Sequence, residues 1–595
     1  MSARIWLPAL LSIALSLKAT AEEKAAAIKW ETWSDKIFER ARAEHRFVLL
    51  DLGAGWCHWC HVMDEITYAD PKVIELIKSK YLAVKVDQDS RPDLANRYED
   101  YGWPATIVFN VDGSEIVKRQ GYIPPNPMAS MLQAIIDDPS PGPSVQPEPT
   151  VVASADAALS VEQREAAKKE FLAAYDSTRG GWGDVHKYLD WTALEYCLTE
   201  GAGGDARMDA MARQTLTAGL ALIDPAWGGV YQYSTDNDWV HPHFEKIMSF
   251  QAGNLRLFSL AASVWNEPKW LDSAQSIHRY LRDFLLSPDG AFRASQDADV
   301  VDGEYAEKYF ALDDAARRKL GIPRIDGHLY TRENGLAITG LCALYAASGD
   351  ASALTEARAA ANWALAHRSL ADGGFRHDEA DSAGPFLADN LAMAQAFLAL
   401  YAATAERPWL SRAYEAAAFI DVHFRAPIGF ATAAAPMPTA LPPKPQTDEN
   451  ISIARFCRLL SFYTGNKSFE AMAQHGMRYL ASPVVVQSQG SGTSGILLAD
   501  REMRSEPLHV TIVGGKQDLS AQALFNVALR GAPAFARIEW YDPKEGPLPN
   551  ADVDYPTGAK AQAFLCSGNA CSAPMSAPQD FAKKLTATVH KTRLP

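Results

Sequence analysis

The apolar positions of this sequence follow one pattern before about residue 150 and a different pattern after it. In the first part, short apolar runs such as Phe47–Leu52 and Tyr81–Asp87 alternate with amphipathic segments, which is typical of strands that alternate with helices. Ile107–Asn110 and Ile116–Arg119 are joined by an Asp-Gly turn and predict a β-hairpin. The predicted helices of this part are 30–44, 71–79, 92–101 and 126–137.

From Ala153 onward the sequence changes to long Ala- and Leu-rich segments with a helical period. Glycine-aromatic pairs such as Gly181-Trp182, Gly374-Phe375 and Gly429-Phe430 recur between these segments. Repeated helix pairs closed by such loops predict a repeat architecture. Over 153–485, about a dozen helices fit a closed (α/α)6 ring of hairpins, and an open solenoid is the alternative. The predicted helices are 160–176, 190–200, 205–223, 244–265, 268–286, 331–348, 351–369, 386–404, 408–424, 448–463 and 466–481.

The strongest chemical signal is Trp56–His61, which reads Trp-Cys-His-Trp-Cys-His directly after the 47–52 strand. A Cys-x-x-Cys that ends a strand and opens a helix is the layout of a redox dithiol. The helix dipole and the unpaired N–H groups stabilise a thiolate at Cys57, and Cys60 lies within reach to close a disulfide. A protonated His58 would stabilise that thiolate further.

Three alternatives to a redox dithiol remain open at this point. Cys-x-x-Cys-His is also the attachment sequence of a c-type haem. A zinc site needs further ligands, and the sequence has no second Cys-x-x-Cys to provide them. An inert structural disulfide is the simplest alternative.

The first 140 residues resemble the thioredoxin fold at specific positions. Asp51 stands six residues before Cys57, where thioredoxins carry a buried acid, and Val86–Asp89 matches the end of their next strand. Trp103-Pro104 falls where their cis-proline lies against the dithiol. A covalent haem would need the space where that loop packs, so this resemblance disfavours the haem alternative.

The resemblance implies a role for each of these residues. Cys57 is the nucleophile that forms a mixed disulfide, and Cys60 resolves it. Asp51 exchanges a proton with Cys60, and burial should raise the pKa of Asp51; a buried, hydrogen-bonded acid without this role is the alternative. Pro104 presents backbone to a substrate and keeps other ligands from the sulfurs. The supporting residues are Trp56, His58 and Trp103. The dipeptide between the cysteines is His-Trp instead of Gly-Pro, which leaves the direction of electron flow open.

A second resemblance extends over nearly the whole mature chain. Asp236–Met248, Gly228–Ser234, Ala294–Gly303 and Gly180–Gly183 are similar to motifs of the YyaL-like family, which includes spermatogenesis-associated thioredoxin-domain proteins. The resemblance implies a thioredoxin-like domain joined to a six-hairpin, glycosidase-like barrel. The sequence departs from the family at Arg332–Gly335, where a Trp-Asn-Gly step is expected and Trp is missing.

A candidate pocket of the barrel follows from this signature. Carboxylates, an imidazole and an aromatic ring together suit carbohydrate binding, hydrolysis or epimerisation. The alternative is that these side chains lock one hairpin to the next. No metal-ligand spacing is recognisable among them, so no metal is predicted. The pocket residues are Asp236, Trp239, His243, Glu245, Asp297 and Asp299.

Composition and the N-terminus indicate an exported, soluble protein. Residues 1–21 have the form of a signal peptide, with Arg4, an apolar Ile5–Leu17 and the A-x-A site Ala19–Ala21, and a retained membrane anchor is the alternative. A periplasmic or secreted location follows, with no membrane span after its removal. The net charge of −15 argues against a nucleic-acid partner. No cofactor beyond the dithiol is predicted.

The C-terminal segment, 486–595, is predicted to add a small β-α-β appendage after a loop at 487–494. Its elements are a strand at 508–513, a helix at 519–529 and a strand at 536–541. Cys566 and Cys571 are predicted to form a stapling disulfide, and a relay to Cys57 is the alternative. The single cysteines Cys197, Cys342 and Cys457 lie in apolar helical contexts and are predicted to be inert core residues.

The predicted organisation is therefore a signal peptide (1–21), a thioredoxin-like α/β domain (22–138), a Pro-rich linker (139–152), an all-α (α/α)6 barrel (153–485) and a C-terminal α/β segment (486–595). The first functional hypothesis is a thiol–disulfide oxidoreductase acting on protein thiols or disulfides, with a barrel that binds the client or a carbohydrate. The second is a carbohydrate-active barrel with a regulatory thioredoxin-like domain. The third is a non-enzymatic binding scaffold.

Overall fold

The computed structural model describes residues 27–34, 36–380, 383–434, 441–558, 560–567 and 570–590. The predicted signal peptide, 1–21, lies outside these residues. The chain divides into two compact units. Of the described residues, the first unit contains those up to 53 together with 59–86 and 100–146, and the second contains 54–58, 87–99 and those from 147 onward. Two short segments near the dithiol, 54–58 and 87–99, therefore belong to the second unit.

The N-terminal region is built on a four-stranded sheet. Its strands are β1 Phe47–Gly53, β2 Tyr81–Asp87, β3 Ala105–Phe109 and β4 Glu115–Gln120, in the order β2-β1-β3-β4. Strand β3 runs antiparallel to both β1 and β4. The helices are α1 Ile37–Glu44, α2 His58–Val62, α3 Pro71–Lys80, α4 Pro92–Arg97 and α5 Pro125–Asp137. This is the thioredoxin-like α/β fold expected from the sequence.

Local sequence explains where these elements begin. The Asp70 carboxylate accepts hydrogen bonds from the N–H groups of Lys72 and Val73, and Pro71 occupies the first turn of α3. All residues of β1 after Phe47 are buried, and Leu49 packs in a core shared with α3 and α5. The end of β1 is therefore held rigidly where the dithiol follows it.

The helical part of the second unit is a closed ring. Within the described residues, α7, α9, α13, α15, α17 and α20 pack side by side, and α20 returns to contact α7. Each of the other long helices packs mainly against one ring helix, which completes six hairpins and excludes the open solenoid. The helices are α6 Val161–Ala173, α7 Trp191–Ala202, α8 Ala206–Gly219, α9 Met248–Trp265, α10 Pro268–Tyr280, α11 Glu307–Phe310, α12 Asp314–Leu320, α13 Thr331–Ser348, α14 Ala351–His367, α15 Leu387–Thr404, α16 Arg407–Phe424, α17 Thr447–Thr464, α18 Lys467–Leu480, α19 Pro483–Ser488 and α20 Ser494–Met503.

The recurring glycine-phenylalanine loops have a common structural role. In three hairpins a buried asparagine on a ring helix accepts a hydrogen bond from the amide of a loop phenylalanine and donates back to its carbonyl. The pairs are Phe292/Asn334, Phe375/Asn390 and Phe430/Asn450, with donor–acceptor distances of 2.7, 2.7 and 2.9 Å for the amide bonds. The asparagine of the Arg332–Gly335 stretch thus satisfies a buried loop backbone.

Short strands in the loops of the ring carry the family signature. Strand β5 Tyr233–Ser234 pairs with β6 Pro242–His243, and β7 Lys246–Ile247 pairs with β8 Ser295–Gln296, which also pairs with β9 Ile325–Asp326. These pairings bring the 242–247 and 295–299 loops together.

The C-terminal segment differs from its prediction in two places. The predicted loop at 487–494 is wrong, because most of it is helical and leads into α20, which closes the ring. The sheet has the order β11-β10-β12-β13, so the predicted parallel β-α-β unit is extended by two strands. The elements are β10 Leu508–Val513, α21 Leu519–Gly531, β11 Ala536–Tyr541, β12 Gln562–Ser567, β13 Ala570–Cys571 and α22 Pro578–Val589.

The unpaired cysteines lie where the sequence placed them. Cys197, Cys342 and Cys457 are free and buried. Cys566 and Cys571 form a disulfide. In the described part of the chain, no helix combines the length and apolar character that a membrane span requires.

Candidate functional site

The dithiol lies between the end of β1 and the first turn of α2. Helix α2 begins at His58, so Cys57 directly precedes the first helical residue. Both Cys57 and Cys60 are disulfide-bonded, and they are only 4% and 6% exposed. The position suits thiolate stabilisation, but the low exposure means that a reacting partner must first gain access to the sulfurs.

Asp51 occupies the buried middle of β1. The Tyr68 hydroxyl donates a hydrogen bond to the Asp51 carboxylate at 3.3 Å, and the Lys85 ammonium lies 3.5 Å from it. Burial raises the pKa of Asp51 to about 6, against the attraction of Lys85, which lowers it. An acid with this pKa can accept and return a proton near neutral pH.

Replacing Asp51 by asparagine should stabilise the first unit above pH 6. Asp51 ionises near 3.8 when unfolded and at about 6 when folded, so between these values the folded state binds more protons and stability falls as pH rises. At pH 7, where Asp51 is ionised, this shift lowers the free energy of unfolding by about 3 kcal/mol. Urea denaturation with hydrogen exchange of β1 amides should show this gain at neutral pH and none below about pH 4. The exposed Asp137→Asn is the control; an equal gain at both pH values would contradict the assignment.

The predicted cis-proline is present in the first unit. The Trp103–Pro104 peptide is cis, Pro104 is buried, and its carbonyl accepts a hydrogen bond from the Gly121 amide at 2.8 Å. The packing of this loop against the sulfurs stays a prediction.

Within the second unit, His58 is held by two carboxylates of the ring loops. The His58 Nδ1 lies 2.8 and 3.0 Å from the two Asp299 carboxylate oxygens, and the pair is buried. The His58 backbone amide donates to Glu245 Oε1 at 3.5 Å. The Tyr305 ring packs edge-on against the His58 imidazole at 5.7 Å. The residue that follows Cys57 is thus fixed by side chains more than 180 positions away in sequence.

Asp297 and Arg324 support this arrangement. The Asp299 carboxylate also accepts from the Gly303 amide at 2.9 Å, and its backbone amide donates to Asp297 at 3.0 Å. Arg324 lies 3.0 Å from the Asp297 carboxylate and donates to the Gly55 carbonyl. Arg324 therefore connects the acidic loop to the segment that carries Cys57.

Glu245 is positioned by the next residue, Lys246, which belongs to a buried cluster of ion pairs. Lys246 lies 2.7 Å from Asp224, and Arg317 lies 2.6 Å from the same carboxylate, with all three side chains fully buried. His243 stacks on Tyr233 at 4.4 Å, and its Nδ1 lies 3.8 Å from Glu245. Among the described residues, Glu245 Oε2 is a buried oxygen with no hydrogen-bond partner.

The structure does not bring all six predicted pocket residues together. Glu245 and Asp299 contact His58 directly, Asp297 is connected to Gly55 through Arg324, and His243 lies beside Glu245. Asp236 is exposed in the turn between β5 and β6 and has a left-handed backbone, with φ of 59°. The Trp239 indole donates to the Arg179 carbonyl at 2.9 Å and packs against Gly181. Trp239 thus locks a loop, and carbohydrate binding by the six residues stays a prediction.

The 87–99 segment forms a second contact region of the same unit. Trp56 Nε1 donates to the Asp89 carboxylate at 2.7 Å, and the His377 Nε2 donates to the Asp89 carbonyl at 2.6 Å. Burial, together with Asp87, raises the pKa of Asp89 well above its ordinary value. Burial alone would lower the pKa of His377, but the Asp389 carboxylate at 2.9 Å raises it to about 9. Trp56 therefore contacts a buried polar network.

Sequence reasoning missed several members of this site. Tyr305, Arg324 and His377 stand outside every motif and reach the site only through the fold. The sequence predicts Asp89 only as the end of a strand and does not indicate its contact with Trp56. For Tyr305, proximity to the Ala294–Gly303 motif was the one available signal.

Comparisons with known proteins gave matches to the N-terminal region and to a longer part of the chain. Residues 17–137 match the family model Thioredox_DsbH, described as a protein of unknown function, DUF255. Human spermatogenesis-associated protein 20 is 26% identical over 307 residues, which cover 46% of this chain and 39% of that protein. The thiol:disulfide interchange protein DsbD of Pseudomonas fluorescens is 31% identical over 99 residues, covering 16% of this chain and 17% of that protein.

Comparison with solved structures also gave matches. A D-mannose isomerase is 13% identical and covers 58% of this chain and 97% of that chain, with a TM-score of 0.44. A cellobiose 2-epimerase from Bacillus thermoamylovorans is 10% identical and covers 54% of this chain and 86% of that chain, with a TM-score of 0.42.

Fold and site together define a class of protein in which a thioredoxin-like domain is joined to a six-hairpin helical barrel. The comparisons agree with the resemblance indicated by the sequence motifs, since the chain is similar to spermatogenesis-associated protein 20 and to an uncharacterised protein of Caenorhabditis elegans, and its N-terminal region matches the Thioredox_DsbH model. The matched part spans about two-fifths of the length of those curated relatives.

Proposed function

We propose that this chain is a thiol–disulfide oxidoreductase in which the acidic loops of the second unit control access to Cys57. The observation that carries the proposal is the buried contact of His58, the residue after Cys57, with Asp299 and Glu245. The likeness of the N-terminal region to a thiol:disulfide interchange protein supports the redox part.

The exchange follows ordinary dithiol chemistry. In the reduced state, the Cys57 thiolate attacks a client disulfide, a mixed disulfide forms, and one client sulfur leaves as a thiolate. Cys60 gives its proton to Asp51 and attacks the Cys57 sulfur, which releases the second client thiolate. Two electrons pass to the client, the Cys57–Cys60 disulfide forms, and the client thiolates take up protons from Asp51 and water. In the opposite direction, the same steps oxidise a client dithiol.

The acidic loops keep the dithiol in a protected state. A thiolate at the start of a helix is normally stabilised by the first backbone N–H groups. Here the His58 amide donates to the Glu245 carboxylate, and the His58 imidazole pairs with Asp299. The carboxylates occupy donors that would otherwise favour a thiolate, and their negative charge opposes one. Opening these contacts both exposes Cys57 and frees the donors.

The client is proposed to be a protein. The predicted export would place the chain in an oxidising compartment, where protein disulfides persist.

Breaking the Asp299 contact should increase the reactivity of Cys57. In the reduced full-length protein, Asp299→Asn is expected to raise the rate of alkylation of Cys57 by iodoacetamide about tenfold, because the charged partner that holds His58 is lost. Quenched samples and peptide mapping give the rate for each cysteine.

The control is Asp289→Asn, which removes an exposed carboxylate from a turn of the same unit. It should leave the rate at the wild-type value. An unchanged or lower rate in Asp299→Asn would show that this contact does not restrict access to Cys57.

A further inference from the structure

The C-terminal sheet carries a second disulfide, and its two cysteines differ in solvent exposure. Cys566 lies on β12 and is 3% exposed, whereas Cys571 lies on β13 and is exposed. The two residues face each other across the antiparallel pair β12–β13. An approaching thiol can therefore reach the Cys571 end of the bond, while the Cys566 sulfur stays inside the protein.

A chain of polar side chains ends at the buried sulfur. The Tyr555 hydroxyl lies 3.9 Å from Cys566 Sγ, and Thr511 donates a hydrogen bond to that hydroxyl at 2.8 Å. A disulfide sulfur carries no proton, so the Tyr555 hydroxyl is the only possible donor between these two atoms. The chain continues from Thr511 to His509 Nε2 at 2.9 Å and from His509 to Glu539 at 2.8 Å.

The register of the sheet places His509, Thr511, Glu539 and Cys566 on one face. His509 stands opposite Cys566 in the β10–β12 pair, and Thr511 stands opposite Glu539 in the β10–β11 pair. His509, Thr511 and Glu539 are 7%, 0% and 0% exposed. Burying such groups is costly unless each is hydrogen-bonded. The other face of the same strands is apolar and packs in the C-terminal core.

A stapling role does not account for this environment. The two cysteines are separated by five positions, and closing so short a loop gives the smallest entropic stabilisation. Hydrogen bonds of the β12–β13 ladder already hold the hairpin. A staple would be served equally well by an apolar surrounding, without a hydroxyl directed at one sulfur.

We infer that Cys566–Cys571 is a second redox-active disulfide, which exchanges with a dithiol substrate through Cys571 and uses Tyr555 to stabilise the departing Cys566 thiolate. The substrate class is a dithiol, either a reduced protein Cys-x-x-Cys or a small dithiol. This site stands on its own residues and does not depend on the chemistry proposed for Cys57.

The reaction balances as two thiol–disulfide exchanges. A thiolate of the dithiol attacks Cys571 Sγ, the Cys566–Cys571 bond breaks, and Cys566 leaves as a thiolate that accepts the Tyr555 hydrogen bond. The second thiolate of the substrate attacks the mixed disulfide and releases Cys571. The substrate becomes a disulfide after giving up two electrons, and its two protons pass to the released cysteines.

The test is the reduction of the folded, full-length protein by dithiothreitol, followed by rapid alkylation and peptide mapping. Mapping reads the Cys566/Cys571 pair separately from Cys57/Cys60, so failure at one site is distinguishable from failure at the other. We expect the C-terminal pair to be reduced without loss of the circular dichroism signal. Tyr555→Phe should slow this reduction at least tenfold, whereas Tyr414→Phe, at a surface position, should not change it.

A second measurement locates the attacked sulfur. Glutathione disulfide is offered to the reduced Cys566→Ser and Cys571→Ser variants, and the adduct should form readily on Cys571 and at least tenfold more slowly on Cys566. Reduction only when the protein unfolds, equal rates in wild type and Tyr555→Phe, or preferential modification of Cys566 would each overturn the inference.

Discussion

Replacing Cys57 by serine is expected to remove disulfide reduction by the reduced protein. With insulin as substrate and dithiothreitol as electron source, the rate above the uncatalysed background should fall on the order of 10³-fold or more, because the attacking thiolate is lost. Serine has nearly the same volume and leaves the start of α2 unchanged.

The control for this variant is Cys342→Ala, which removes a free, buried cysteine on α13. It should retain the wild-type rate. Activity in Cys57→Ser equal to that of the wild type would rule out Cys57 as the nucleophile, whatever the role of the ring.

The second large effect is expected on stability, from the buried ion pairs next to Glu245. Burial opposes ionisation of Asp224, but Lys246 and Arg317 together lower the pKa of Asp224 to about 2. Asp224→Asn leaves two buried cations without their counter-charge and should destabilise the second unit by about 3–5 kcal/mol. Because Asp224 is ionised in both folded and unfolded states above about pH 4, the full loss is seen at neutral pH.

Urea denaturation and hydrogen exchange check this prediction. Exchange of amides in 242–248 should accelerate in Asp224→Asn, because β7 carries Lys246 directly after Glu245. Asp283→Asn breaks a surface ion pair with Arg282 and should change stability by less than about 0.5 kcal/mol. Similar values for the two variants would show that the buried cluster is not needed to hold this loop.

The elements that the sequence predicted well are those set by local physics. The apolar run of β1, the Asp70-Pro71 start of α3 and the Ala- and Leu-rich ring helices all carry strong periodic or capping signals. Helix α20 was missed because it follows a stretch rich in glycine and serine, which favours a loop. The helix packs in the ring between α7 and α17, and its Leu, Ala, Arg, Glu and Met residues are good helix formers that the preceding glycines and serines obscure.

The site was predictable only in pieces. The dithiol, Asp51 and Trp103-Pro104 follow from spacing and from the thioredoxin resemblance. The contact between His58 and Asp299 joins residues 241 positions apart, so the sequence could supply both residues but not their pairing. Asp236 and Trp239 are neighbours of Glu245 in the same sequence motif, but in the structure they lie away from the His58 contacts. The loop between β5 and β6, residues 235–241, separates neighbours that the sequence presents as one group.

The most direct test of the central claim is the formation of a mixed disulfide on Cys57 in the Cys60→Ser protein, measured with and without Asp299→Asn. Reduced protein is mixed with glutathione disulfide, and the adduct is followed by intact mass and located by peptide mapping. The proposed mechanism predicts an adduct on Cys57 in both proteins, forming about tenfold faster when Asp299 is replaced. Absence of an adduct on Cys57 in both proteins would contradict its role as nucleophile, and equal rates would contradict control by the acidic loops.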